Sequence, residues 1–349
     1  MQRLSYFIKR ILLVIPTFIG ITLVVFGLIQ FVPGGPVEQA LMQMRAIGAG
    51  GESAAGISAD ASAGLTEEYR RELERRFGFD QPFYRRYWKW LVQDRLGMRM
   101  ESYMFTGNTA WELIRSRLAV SLIFGVTGFL LSYTICIPLG IAKALRNGTH
   151  FDFASSIIVF TGYAIPTVAL GMLLRTLFTG VIEDFPALLP LGGFQSTQYE
   201  ELSHAGRILD RVRHMALPII CYVAGNFAVL TMLMKNTLLD QISRDYIRTV
   251  FAKGGNRKRA IWGHALRNAM IPIATGFGGI MTVMFAGSVI IERIFEIPGM
   301  GRLSLDAITG RDYAIFMGIL SLTSILGLIG NILSDFCYVL IDPRITFER

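Results

Sequence analysis

Apolar residues gather into six blocks, 11–32, 118–142, 153–178, 215–234, 270–291 and 314–340, which together hold only two charged residues, Arg175 and Asp335. About 20 apolar residues in a helix cross a hydrocarbon core of about 30 Å. The pattern therefore predicts an all-α, polytopic membrane protein with six transmembrane helices. The first block follows Arg3, Lys9 and Arg10, as a signal peptide would. Its apolar run is too long for an h-region and ends in Pro33-Gly34-Gly35-Pro36 without a small-residue cleavage pattern, so a retained helix is expected.

The polar stretches divide the rest. Residues 1–10 form a short N-terminal segment, 33–113 an outer loop, and 114–349 a core with a long inner loop at 235–269. Within the outer loop, 46–64 is Gly, Ala and Ser with little else, which predicts a mobile stretch. Thr66 is placed to cap a charged helix through Phe77, with Glu67 and Glu68 in its first turn. A further helix is expected over 83–96, with Tyr84, Tyr87, Trp88 and Trp90 beside Arg85, Arg86 and Lys89. Aromatic and basic residues together suit a helix lying at the bilayer interface; the rival is an aromatic platform for substrate. The stretches 179–213 and 292–312, with their Pro and Gly residues, read as ordered turns.

Composition agrees: of 349 residues 52% are hydrophobic and 17% charged, against roughly 25% charged in soluble domains. The net charge of +8 is unevenly placed. With the N-terminus inside, the short inner segments carry fifteen Lys and Arg and the two short outer loops six. The positive-inside rule then puts both termini in the cytoplasm. That distribution also accounts for the basicity without a nucleic-acid surface. Cys136, Cys221 and Cys337 fall within apolar blocks and imply no disulfide framework, and the four scattered histidines no metal site.

In the inner loop, 246–253 is helix-compatible and stops at Gly254-Gly255. Asn256 can cap a second helix, 257–268. Ile247, Val250, Phe251, Ile261, Trp262 and Leu266 interleave with the charges, a pattern that suits either docking onto a partner or packing on the chain's own helices. No G-x-x-x-x-G-K-[ST] run is present, so the phosphate-cradling loop of an ATPase is missing. Polar residues at membrane depth, Asn226, Thr231, Asn331, Ser334 and Asp335, are candidates for a translocation path or for helix packing. Arg175 is expected to snorkel to the interface. An ion-coupled carrier would need ionisable groups at the membrane centre, and the blocks hold almost none.

The runs Tyr246-Ile247-Arg248-Thr249-Val250-Phe251-Ala252-Lys253-Gly254 and His264-Ala265-Leu266-Arg267-Asn268-Ala269-Met270-Ile271-Pro272 resemble the loop signature of dipeptide and oligopeptide importer permeases of the ATP-binding-cassette (ABC) class. Ile137-Pro138-Leu139-Gly140, Pro298-Gly299-Met300-Gly301-Arg302 and Asp342-Pro343-Arg344 extend the resemblance over nearly the whole chain. Gly162-Tyr163-Ala164-Ile165-Pro166 and Leu230-Thr231-Met232-Leu233-Met234-Lys235-Asn236 are most similar to the B-type branch of the Yej system, which imports peptides and microcin C.

The resemblance implies a type I ABC importer permease fold. It further implies pairing with a second homologous permease, two ATP-binding subunits (or one fused chain) that hold ATP and Mg, and a periplasmic peptide-binding protein. The coupling helix of such permeases falls on Arg248, Thr249, Val250, Ala252, Lys253, Gly254, Gly255, Asn256, His264 and Arg267. Arg248-Thr249-Val250 stands where the broad signature has Glu-Ala-Ala, and Arg267 replaces its later proline.

Overall fold

The computed structural model describes residues 2–30, 81–102, 104–182, 187–276, 285 and 287–341. The stretches expected to be mobile (46–64) and helical (66–77) lie outside the described residues, as do the motif at 342–344 and residues 277–284 and 286 of the block 270–291. Among the described residues the regular elements are helical, with two isolated bridges, Glu101 to Thr109 and Thr179 to Ala187. In chain order they are α1 (Gln2–Gln30), α2 (Phe83–Trp88), α3 (Ala110–Leu145), α4 (His150–Ala164), α5 (Thr167–Phe178), α6 (His204–Ile242), α7 (Asp245–Ala252), α8 (Leu266–Ala269), α9 (Ile271–Thr275), α10 (Val289–Ile294), α11 (Met300–Thr309) and α12 (Tyr313–Ile341).

Four of these carry spans long and apolar enough to cross a membrane, Tyr6–Ile29, Ala110–Leu145, His204–Ile242 and Tyr313–Phe336. The pair α4 and α5 makes a fifth if its two arms, bent by 93°, form one span. The single straight helix expected over 153–178 is thereby corrected. Pro166 disfavours helical geometry at the residue before it; Ile165 is extended (φ −81, ψ 117), and the chain restarts at Thr167. The block 270–291 enters the described residues mainly at its ends, as α9 and α10.

Local chemistry sets the helix starts. At α3 the Glu112 carboxylate accepts from the Thr109 N–H at 2.9 Å, and the Thr109 hydroxyl accepts from the Glu112 N–H at 3.3 Å, a reciprocal capping box. Ser203 caps α6 by accepting from the Gly206 N–H. At 36 and 39 residues, α3 and α6 run about 54 and 58 Å, well beyond a hydrocarbon core. α6 absorbs residues 204–214 and 235–242, which the hydropathy pattern leaves to loops. Nothing between Asn226 and Ile242 breaks a helix, and Leu238 buries completely.

The chain forms two compact units. One comprises Ile15–Arg115 and Ser304–Ser324. Its core is Tyr87, Trp90 and Met317, packed with Phe26 and Leu320. The Tyr87 and Thr22 hydroxyls share a hydrogen bond at 2.9 Å, and both residues are buried. The helix expected over 83–96 is shorter: α2 passes into a π-helical turn, Lys89–Gln93, and Arg95 and Leu96 take positive φ. Its face is split, since Tyr84 and Trp88 are exposed. In the same unit the Asp312 carboxylate accepts from the Ser102 hydroxyl at 2.6 Å and the Met104 N–H at 3.0 Å.

The other unit comprises Met1–Val14, Ser116–Leu303 and Ile325–Arg349. The stretch 287–302 wraps a buried carboxylate. Glu292 accepts from the Ser121 hydroxyl at 2.9 Å, the Arg302 N–H at 2.8 Å and the Ser288 N–H at 3.3 Å. A Cβ on Gly299 would lie 2.4 Å from that carboxylate, which is why the turn has no side chain there. Burial pushes the Glu292 carboxyl above the usual range, while the N–H of Arg302, the Ser121 hydroxyl and the N–H groups of Ser288 and Gly301 draw it back. Arg175 does not simply snorkel: it donates to the Ile294 carbonyl at 2.6 Å and to the Glu296 carboxylate at 2.7 Å.

Candidate functional site

The segment 243–269 is built from turn chemistry legible in its sequence. Arg244 is extended and turns the chain out of α6 (φ −72, ψ 149). Asp245 then sits in the first turn of α7, where a negative charge suits the helix N-terminus. The far end closes as a Schellman motif: the Gly255 N–H donates to the Val250 carbonyl and the Gly254 N–H to the Phe251 carbonyl, both at 2.9 Å. The two glycines serve different needs. Gly254 has φ +80, a region side chains disfavour. A Cβ on Gly255 would lie 2.6 Å from the Val250 side chain. The Asn256 carbonyl oxygen Oδ1 then accepts from the Arg259 N–H at 2.8 Å, capping the second helical stretch, which runs through a π-helical turn, Arg259–Ala265, into α8.

One face of this helix–turn–helix is sealed to the chain. Ile247, Ala260, Ala265 and Ala269 are almost fully buried against Ile141 and Ala144 of α3 and Met234 and Leu238 of α6. Three alanines there let the backbones approach closely. The opposite face is open: Arg248, Thr249, Ala252, Lys253, Gly254, Asn256, His264 and Arg267 are exposed, and Val250 and Gly255 partly so. The interleaved apolar residues divide. Ile247, Val250, Ile261 and Leu266 pack inward, whereas Phe251 stays 47% and Trp262 53% exposed.

The candidate path residues have separate surroundings. Thr231 is fully buried where α6 meets α3, its carbonyl oxygen 2.7 Å from where a Cβ of Gly140 would stand. Ser334 is buried, while Asn226 and Asn331 are exposed. Asp335 is engaged by Arg10 in an ion pair and by the Tyr6 hydroxyl at 3.3 Å, and Arg10 also donates to Tyr6 at 2.8 Å. A partly exposed pair of this kind contributes about 0.2–1 kcal/mol. Asp335→Asn should therefore leave accumulation in the membrane and transport within about threefold of the parent. A complete loss of transport at normal accumulation would assign Asp335 to the path instead.

Sequence reasoning missed a charged cluster. Lys143 and Lys235 count as inner-loop positives there, yet Lys143 is fully buried and Lys235 is 9% exposed, both at Asp152. Lys235 Nζ donates to the two carboxylate oxygens of Asp152 at 2.8 and 2.7 Å. Lys143 Nζ lies 3.1 Å from one of them and donates to the Asp152 carbonyl and the Ser155 and Ser156 hydroxyls at 2.8 to 2.9 Å. The signal was present in Asp152, Ser155 and Ser156, which share one helix face at i, i+3 and i+4.

Residues 136–347, which span the helix–turn–helix and this cluster, match the family described as binding-protein-dependent transport system inner membrane component. The chain belongs to that family. It is similar along its length to the inner membrane ABC transporter permease protein YejB of Escherichia coli O157:H7, at 38% identity over 99% of each chain. It is 37% identical, over 99% of each, to the peptidoglycan transport system permease protein YejB of Agrobacterium fabrum. The oligopeptide transport system permease protein AppB of Bacillus subtilis is 31% identical over 98% of this chain and 99% of its own. The resemblance read from 246–272 is thus shown: this is an ABC-type transport permease, a helical inner membrane component.

Proposed function

We propose that the chain is one of two permease subunits lining the path of a peptide importer, and that its helix–turn–helix at 243–269 docks onto an ATP-binding partner. The observation that carries this is the open face of that segment, where Phe251, Trp262, Arg248, Lys253 and Arg267 are exposed while its back is sealed onto α3 and α6. Peptide cargo is supported by the oligopeptide carrier among its relatives. The fold has six spans, the sixth falling on 270–291, with both termini and the docking segment in the cytoplasm, as the fifteen-to-six distribution of positives favours.

A second homologous permease covers part of the exposed apolar surface, two ATP-binding subunits or one fused chain hold ATP and Mg, and a periplasmic binding protein delivers cargo. Closure of the ATP-bound partners favours one orientation of the permease pair, and hydrolysis restores the other, through contacts that differ between the two states.

Two measurements test this. In a background with the native cysteines replaced, Asn256→Cys should react with an impermeant thiol reagent only after the membrane is opened, and Glu200→Cys from outside in intact cells. The reverse labelling would overturn the orientation. In a strain without other peptide importers, deleting the chain should abolish uptake of a labelled pentapeptide; unimpaired uptake would overturn the peptide assignment. A peptidoglycan fragment given in parallel separates the two cargo classes that the relatives' names carry.

A further inference from the structure

We infer that Lys143, Asp152 and Lys235 are positioning residues that tie the bent pair α4 and α5 to the docking segment, so that displacement of the segment moves this arm. The three groups sit on three elements: Lys143 in the last turn of α3, Asp152 in the first turn of α4, and Lys235 on α6. Each lysine adjoins a residue of the core that receives the docking segment, Ala144 after Lys143 and Met234 before Lys235. Motion of Ile247, Ala260 and Ala265 therefore reaches α3 and α6 through close packing, which transmits displacement because it does not compress.

α4 has little apolar grip of its own. Of its fifteen residues only Asp152 and Val159 are buried, and Phe153 and Ile158 are about 70% exposed. Its start is held by charge. Asp152 takes two hydrogen bonds from Lys235 and one from the Gly148 N–H at 3.2 Å, while Lys143 binds the Asp152 carbonyl and the Ser155 and Ser156 hydroxyls. A buried ion cluster of this kind is a weak source of net stability but a precise one of geometry: the ions lose much solvation, and removing one partner strands the others. It locks the first turn of α4 in place where apolar contact alone would let it slide. The arm beyond the bend packs on α10, where Gly171 lies against Ile294 and Phe295, so α4 and α5 join the cluster to the far end of the unit.

The inference rests on the docking reading above, and its test separates the two. The parent, Asp152→Asn, Lys235→Met and Lys235→Arg are each co-expressed with the ATP-binding subunits, the second permease and the binding protein. Each is then purified and reconstituted into vesicles, where labelled pentapeptide uptake and ATP hydrolysis are measured together. Asp152→Asn and Lys235→Met should retain the ATP-binding subunits and hydrolyse ATP within twofold of the parent, yet import at least tenfold less peptide per ATP. Lys235→Arg, which can still pair with both carboxylate oxygens, should stay within threefold. An unchanged ratio in Asp152→Asn and Lys235→Met would overturn the positioning role while leaving docking intact. So would their failure to accumulate while Lys235→Arg behaves as the parent, since the cluster would then serve folding alone. Absence of the ATP-binding subunits from the purified parent would overturn the docking reading itself.

Discussion

Replacing Gly140 by leucine is expected to stop the chain accumulating in the membrane. Gly140 lies on α3 where α6 comes closest: a Cβ there would be 2.6 Å from the Met234 Cβ and 2.7 Å from the Thr231 carbonyl oxygen. One of those atoms is backbone and the other is fixed to it, so no rotamer change relieves the clash. Extra carbon in a packed core costs about 1–3 kcal/mol, and more where two helix backbones must separate. The same contact supports the seat of the segment 243–269, since Met234 and Leu238 belong to one core with Ile247 and Ala265. Against a total stability of about 5–15 kcal/mol, a loss beyond 3 kcal/mol leaves most chains to quality control. Quantitative immunoblots of membranes should show at least a tenfold drop. Gly20→Leu, at a position with nothing within 4 Å, should accumulate like the parent. Equal amounts of the two variants would mean that close α3–α6 approach is not required.

Truncating both exposed aromatics of the docking segment, Phe251→Ala with Trp262→Ala, should release the ATP-binding partner without disturbing the permease. Both side chains are about half exposed, so their removal empties no cavity in the chain's own core. Large aromatics at the centre of an interface typically contribute about 2 kcal/mol or more each. Together they should weaken association by about a hundredfold or more, read as loss of the ATP-binding subunits from affinity-purified chain and as absent uptake. Ile247→Ala is the contrast. That side chain is 2% exposed, and its truncation should cost about 2–5 kcal/mol of the permease's own stability, lowering accumulation first. Full retention of the partner by the double variant would show that the exposed face is only a solvated basic surface.

Much of this molecule is legible in short windows of sequence. The membrane class follows because a bilayer selects on hydropathy summed over about 20 residues, with no reference to the rest of the chain. The turn at Gly254 and Gly255 and the cap at Asn256 follow because φ preference and short side-chain-to-backbone bonds act within five residues. The break at Ile165-Pro166 was equally local, but an unbroken apolar run concealed it. Hydropathy carries no information about direction.

The sequence alone could not say which charges are buried or which aromatics face outward. Lys235 meets Asp152 across 83 positions, Arg175 meets Glu296 across 121, and Ser121 meets Glu292 across 171. A charge count treats Lys143 and Lys235 as solvated topology signals like Arg248. Only the packing of α3, α4 and α6 sets the first two around a carboxylate and leaves Arg248 in the open. The same packing sends Ile247 inward and Phe251 outward from one short helix. The sequence by itself determined the membrane class, four of the six expected spans and the local turns, because those depend on neighbours along the chain. The tertiary structure decided the charged cluster, the wrapped carboxylate of Glu292 and the open face of the segment 243–269, because burying a charge is tolerable only where a distant partner replaces its water.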